Sequence, residues 1–258
     1  MLKIIQRFVI TATGILSPNF LLVANKSKEV KAMNKLVSII IPTYNGEKYL
    51  AETIQSIKKQ NIPHEIIVID DVSSDKSVEI AKDMGVKVLV NSVRKGQVAG
   101  KNIGIRAATG EYWLTIDQDD ILRPYSLQRL LTEMEDSSKD ISIVMAKLKD
   151  FCSPDTPNQI RFVKKEPYYG ILTGTTLFRK SIFDTIGLFR EDIITGDVID
   201  LTHRLSQYNK KIKKIDFISC DRRIHNSNYG ITNQKNEYKD YAKILRDKLR
   251  GNSNNTKE

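Results

Sequence analysis

Three carboxylates in four residues, Asp117, Asp119 and Asp120, close the apolar run Tyr112-Trp113-Leu114-Thr115-Ile116. Like charges at a buried strand end repel one another, and burial raises the cost of ionising each. A hard divalent cation relieves both effects, and Mg²⁺ or Mn²⁺ takes oxygen ligands while keeping positions open for a diphosphate. A solvated acidic turn capping the next helix would use the same residue types, so the triplet alone leaves both readings open. A second acidic strand end, Asp70-Asp71, follows Glu65-Ile66-Ile67-Val68-Ile69 and leads into Ser73-Ser74-Asp75. A carboxylate there can accept from a base N–H or a ribose hydroxyl, whereas Ser74 or Asp75 can cap the following helix and leave Asp71 free. Tyr44 offers a ring that either stacks on a base or covers the core edge.

The stretch Gly96-Gln97-Val98-Ala99-Gly100-Lys101-Asn102-Ile103-Gly104 opens a helix with small residues on one face. A free helix N-terminus and close backbone approach suit a phosphate or sugar, and close helix–sheet packing explains the glycines nearly as well. Arg94 and Lys95 stand just upstream, where they can meet phosphates.

These groups need elements to position them. Val37-Ser38-Ile39-Ile40-Ile41, stopped by Pro42, is a β-branched run of the kind buried on both faces of a parallel sheet. After the Asn45-Gly46 turn, Tyr49, Leu50, Thr53, Ile54 and Ile57 recur at helical spacing. The spacing predicts strands at 65–69, 86–90, 112–116 and 141–146, with helices at about 75–84, 96–108 and 124–135. Strands alternating with helices imply right-handed βαβ units and an α/β fold with helices on both faces. Ligands of such sheets bind beyond the carboxyl ends of the strands, which is where Pro42-Thr43-Tyr44, Asp70-Asp71 and Asp117–Asp120 lie. After Asp150 the rhythm breaks, with a loop or short antiparallel excursion over 151–165. Helical patterns return at 180–186 and 197–208, followed by a strand near 214–218 and a basic helix from about 236 to 250.

The 258 residues, 40% of them apolar, suffice for one sizeable α/β domain. Residues 1–33 are read as an extension outside the fold, because Met33-Asn34-Lys35 stands just before the first strong strand; their apolar stretch is too interrupted for a membrane span. The folded domain is placed at 34–235 and a basic helix with a frayed tail at 236–258. Two cysteines, Cys152 and Cys220, cannot build a disulfide framework and are expected to be free, as in a reducing, cytoplasmic compartment. A formal charge of +10, concentrated locally at Lys210, Lys211, Lys213 and Lys214 and at Lys243, Arg246, Lys248 and Arg250, favours anionic partners. The clusters lack the aromatic and glycine pattern of an RNA-binding sheet, so nucleic acid is not expected. They suit a peripheral contact with the inner membrane face and a lipid-linked acceptor, although a soluble glycan or peptide acceptor fits as well.

Taken in order, these blocks resemble glycosyltransferase family 2, whose members have the GT-A fold, a mostly parallel sheet flanked by helices. The resemblance runs from Val37 to about Leu205, with a fainter continuation to Tyr229. It implies an inverting enzyme that moves a sugar from a nucleotide-sugar, a UDP-sugar for preference, to a hydroxyl on a glycan or lipid-linked glycan. The C-terminal helical and irregular region would receive the acceptor, Tyr168 and Tyr169 among it. Pro42, Tyr44 and Asp71 would line the nucleoside site, with Gly96 and Asn102 from the small-residue helix. Asp117, Asp119 and Asp120 look like the family's DxD motif, holding Mn²⁺ or Mg²⁺ and the diphosphate. Arg222-Arg223-Ile224-His225 resembles a late family segment in which His225 would be a further metal ligand.

The family's general base falls in Thr195-Gly196-Asp197-Val198-Ile199-Asp200-Leu201, where the register departs from the usual pattern. Asp197 and Asp200 share a helical face, so either can look into the site, and Asp197, at the helix start, is preferred. Its alternative role is a plain N-cap. Other readings of the chain are a nucleotidyltransferase, which would carry a glycine-rich basic loop after the first strand, and a degenerate binding module. His64 and His203 are read as surface or packing residues.

Overall fold

Val37–Thr43 forms β1, and all seven of its residues are buried, as its unalternating β-branched run requires. This computed structural model describes residues 35–172, 174–194, 196–228 and 239–247; the N-terminal extension, Tyr229 and the C-terminal tail expected from the sequence lie outside them. The chain continues through α1 (Leu50–Lys58), β2 (His64–Asp70), α2 (Ser77–Asp83), β3 (Lys87–Val90), α3 (Gln97–Ala107) and β4 (Tyr112–Thr115). β1 pairs in parallel with β2 on one side and β4 on the other, and β3 extends the parallel sheet beyond β2. The first half is therefore the expected succession of βαβ units.

The second half is mixed. It comprises β5 (Ile121–Leu122), α4 (Ser126–Glu135), β6 (Ile141–Cys152), a 3-10 turn at Pro157–Phe162, β7 (Tyr168–Tyr169), β8 (Thr176–Arg179), α5 (Ile182–Ile186), α6 (Asp197–Gln207) and β9 (Lys211–Ile224). Residues 239–247 are helical. The strand order is β3-β2-β1-β4-β8-β6-β9-β5, with β7 on β6. β8 is inserted antiparallel between β4 and β6, and β9 returns parallel to β6. The sequence pattern did not indicate β8, a four-residue strand between two other elements. It also shortened β9, whose Lys, Asp and Arg residues break the apolar alternation on which a strand reading depends.

Two apolar layers hold the sheet. One unites Val37, Ile39 and Ile41 of β1 with Leu50, Ile54 and Ile57 of α1 and Leu127, Leu130 and Leu131 of α4. The other sets Ile40, Trp113 and Phe178 against Val98 and Ile105 of α3, Ile182 of α5 and Leu201 of α6. The alternation of Ile39, Ile40 and Ile41 between these layers is the two-residue period of a strand covered on both faces. Trp113 meets Phe178 and Phe183 edge-on at centroid distances of 5.2 and 5.4 Å. Gly104 lets α3 approach β1: a Cβ there would stand 2.8 Å from Ile40 Cγ1 and closer still to Cγ2. Among the described residues neither Cys152 nor Cys220 is joined in a disulfide.

Candidate active site

The carboxyl ends of β1, β2 and β4 open into one cleft of about 810 Å³, closed on its far side by the start of α6 and the end of β9. Pro42, Tyr44, Asp71, Gly96, Asp117, Asp119, Asp120, Asp197 and His225 all line it. Residues separated by up to 183 positions are brought together because parallel strands deliver all their C-terminal loops to one edge.

On the β2 side, Asp71 is buried and organises the loop before α3. Its Oδ1 accepts hydrogen bonds from the Lys95 amide (2.8 Å) and Asn91 Nδ2 (2.9 Å), and its Oδ2 accepts from the Gly96 amide (2.9 Å). Burial acts to raise its pKa, but these donors and nearby Arg94 outweigh it, so the carboxyl lies below its ordinary range. Gly96 supplies the bend with φ of 85°, a conformation that favours glycine. Tyr44 is exposed, and the Arg94 guanidinium lies over its ring at 3.7 Å. The Gln118 carboxamide fastens this turn to the acidic loop, accepting from the Tyr44 amide (2.9 Å) and donating to the Tyr44 carbonyl (3.1 Å).

The acidic triplet divides into three environments. Asp117 is half-buried and accepts from Gln97 Nε2 at 2.8 Å. Burial, and then the charge of Asp119, push its carboxyl up to about 6 against the pull of Lys101 and Arg222. Asp119 presents Oδ2 to His225 Nε2 at 2.6 Å and to Asn228 Nδ2 at 3.3 Å. Asp120 is the deepest: Oδ1 accepts the Arg223 amide at 3.0 Å, while its buried Oδ2 has no hydrogen-bond partner. Burial, with the charges of Asp119 and Asp117, raises its pKa well above the ordinary range. Arg223 rivets the loop from below, donating to the Asp119 carbonyl (3.0 Å) and Glu52 Oε2 (2.5 Å) between the rings of Tyr49 and Phe151. Asp119 and His225 thus face the cleft as a directly bonded pair, an oxygen donor beside an imidazole nitrogen.

Across the cleft the two aspartates of α6 part company. Asp197 lines the cavity and bonds Lys101 Nζ through Oδ2 at 2.6 Å. Asp200 turns away, held by Arg204 Nε at 2.8 Å with Arg190 at 3.8 Å. Asn102 also lies off the cleft. Its Nδ2 donates to the Phe189 carbonyl (2.9 Å) and Glu191 (2.8 Å), and its Oδ1 accepts the Phe189 amide (2.9 Å). The donor-site role expected of Asn102 thus gives way to bracing the segment that leads to Asp197, since its polar atoms are already engaged.

Among the residues at the site that the sequence did not single out are Gln97, Lys101, Gln118 and Asn228. Gln97 and Lys101 stand four apart, one helical turn, on a helix noted only for its small residues, and that spacing was the available signal. Gln118 lies inside the acidic triplet, where a neutral carboxamide carries no charge signal of its own.

Residues 38–194, more than half of the chain, match the family model described as Glycosyl transferase family 2. The glycosyltransferase GlyG of Streptococcus pneumoniae is 37% identical over 117 residues, 43% of this chain and 39% of that protein. The poly(ribitol-phosphate) β-N-acetylglucosaminyltransferase TarS of Staphylococcus aureus is 30% identical over 152 residues, 56% of this chain and 26% of that protein. The chain therefore spans less than two thirds of the length of these curated relatives. In three dimensions, the 1–349 portion of TarS in complex with UDP aligns with a TM-score of 0.58 at 24% identity, over 73% of this chain and 60% of that one. A mannosyltransferase from Pyrobaculum calidifontis, solved with GDP-Man and Mn²⁺, reaches a TM-score of 0.64 at 15% identity, over 89% and 74%. At these identities the likeness to solved structures establishes a common fold. The order of the strand-end motifs and the match along the first parallel half agree with it, and the chain belongs to glycosyl transferase family 2.

Proposed function

We propose that the protein transfers a sugar from a UDP-sugar to a hydroxyl of a glycan or lipid-linked glycan, with inversion at the anomeric carbon. The observation that carries this reading is the meeting of Asp71, Asp117, Asp119 and Asp197, from three separate segments, around one cleft. Pro42, Tyr44 and Asp71 bind the nucleoside, and the loop held by Asp71 presents Gly96 and Arg94 toward the diphosphate. Asp119 and His225 would hold Mn²⁺ or Mg²⁺, with Asp117 and the unpartnered Asp120 oxygen beside them. Among the described residues no three His, Cys, Asp or Glu side chains form a metal cluster; an ion of this type takes one or two carboxylates and completes its shell with phosphate and water. When bound, it supplies Lewis-acid stabilisation of the departing diphosphate.

Asp197 acts as general base. It takes the acceptor hydroxyl proton as the oxygen attacks C1, and the bond from C1 to the diphosphate oxygen breaks on the opposite face. Asp200, neutralised by Arg204, keeps α6 in place. The UDP in TarS crystals supports a uridine donor here, and the acceptor named for TarS is in keeping with an anionic glycan.

Calorimetric titration of UDP and of GDP with Mn²⁺, repeated in EDTA, tests the reading. Micromolar UDP binding that EDTA abolishes, and that the Asp119→Ala variant lacks, is the expected outcome. A folded protein that binds neither nucleotide would instead be a degenerate binding module.

A further inference from the structure

Lys101 has the features of a working residue, yet the donor site does not use it. It sits on α3 with only 4% of its surface exposed, its neighbours on that helix, Val98 and Ile105, packed in the apolar layer. A buried ammonium is expensive unless paired, and its partner is Asp197, at 2.6 Å with both side chains under a tenth exposed. A second observation is geometric. One turn earlier on α3, Gln97 Nε2 donates to Asp117 at 2.8 Å, so a single helix meets both the carboxylate after β4 and the carboxylate at the start of α6.

The bond to Lys101 occupies Oδ2 of Asp197 and leaves Oδ1 without a partner among the described residues, in a side chain that lines the cleft. The other charged groups near it do not replace Lys101. Asp117 is of like sign, Asp200 is turned to Arg204, Asp240 of the helix 239–247 accepts from the Ile194 amide, and Arg222, the cation at the end of β9, reaches Tyr168 and Asp150. Without the ammonium, Asp197 would be a buried carboxylate facing another, and such a group takes up a proton rather than remain charged. A protonated Asp197 has no capacity to accept the acceptor's proton.

We propose that Lys101 is a positioning residue for transfer, its ammonium holding Asp197 ionised and turned so that one carboxylate oxygen is presented to the incoming hydroxyl. The inference rests on Asp197 as the base, and the test separates the two claims. Lys101→Met, Lys101→Arg and the double variant Lys101→Met/Asp197→Asn are compared with the parent by infrared difference spectroscopy near neutral pH, which needs no substrate. K101M should show a protonated-carboxyl carbonyl band that the double variant lacks, the difference between those two spectra cancelling what the neighbouring Asp117 and Asp120 contribute to both.

UDP release from UDP-GlcNAc with Mn²⁺, water serving as acceptor, supplies the kinetic arm. K101M should lose about 100-fold in kcat with donor KM within about threefold, its acid limb moved to higher pH, while K101R recovers to within about tenfold. K101M without the new band, or K101R as inactive as K101M although both fold and bind UDP, would overturn the proposal. If K101M does not fold, recovery of folding in the double variant supports the pairing, and K101R inactive beside a folded parent refutes it. A parent that releases no UDP counts against the donor assignment alone, because the infrared arm still decides Lys101.

Discussion

Replacing Asp117 by Asn removes a charge that the fold itself resists. Burial, followed by the charge of Asp119, lifts the Asp117 carboxyl from 3.8 to about 6. The folded protein therefore holds a proton that the unfolded chain releases near pH 4. A raised carboxyl stabilises the fold fully below the unfolded pKa, and that contribution is lost as pH climbs through the folded value; above it the anion is a standing cost. A shift of about two units corresponds to about 3 kcal/mol, and relaxation together with coupling to Asp119 reduces this to about 1–2 kcal/mol. Asn is isosteric and its Oδ1 can still accept from Gln97 Nε2, so the substitution deletes the charge without deleting the bond. In a protein of this size 1 kcal/mol moves Tm by about 2–4 °C. In EDTA, the variant should therefore melt about 2–8 °C above the parent near pH 8 and coincide with it near pH 4. Scanning calorimetry across that range is the assay. A gain of equal size at both ends, or a variant less stable near pH 8, would refute the reasoning. Added Mn²⁺ should then narrow the gap, because the parent recovers through the cation what the variant recovers through the amide.

Asp197→Asn should retain Mn²⁺-dependent UDP affinity by calorimetry and lose at least about 100-fold in transfer, whereas unimpaired transfer would move the base to Asp200. The same variant leaves the buried Lys101 ammonium without a counter-charge, and a loss of about 3 kcal/mol in urea unfolding is expected. Gly104→Ala forces a methyl into Ile40; overpacking of about 1–3 kcal/mol exceeds the roughly 1 kcal/mol gained in helix propensity. A variant as stable as the parent would show that α3 is not seated as described. Asn102→Ala deletes three hydrogen bonds to residues 189–191 and should cost about 2–4 kcal/mol. Its transfer should fall with UDP binding intact, and amide exchange at Phe189 should quicken; protection equal to the parent's would count against the brace.

The parallel half of the fold and the gathering of Asp71 and Asp117–Asp120 at its strand ends were legible in the sequence because their signals are local. Val37–Ile41, Glu65–Ile69 and Tyr112–Ile116 are unalternating apolar runs, and a carboxylate at the end of such a strand has little choice but the sheet's edge. The sequence alone could not separate Asp197 from Asp200, which lie about 60° apart around one helix. Tertiary structure separated them through Lys101, 96 residues earlier, and through Arg204 and Arg190. Nor did any local pattern announce β8, whose four residues are a strand because β4 and β6 flank them, or a β9 long enough to carry His225 to Asp119. Charged strands and ion pairs draw their stability from partners distant in the chain, and periodicity records only what a residue owes to its near neighbours.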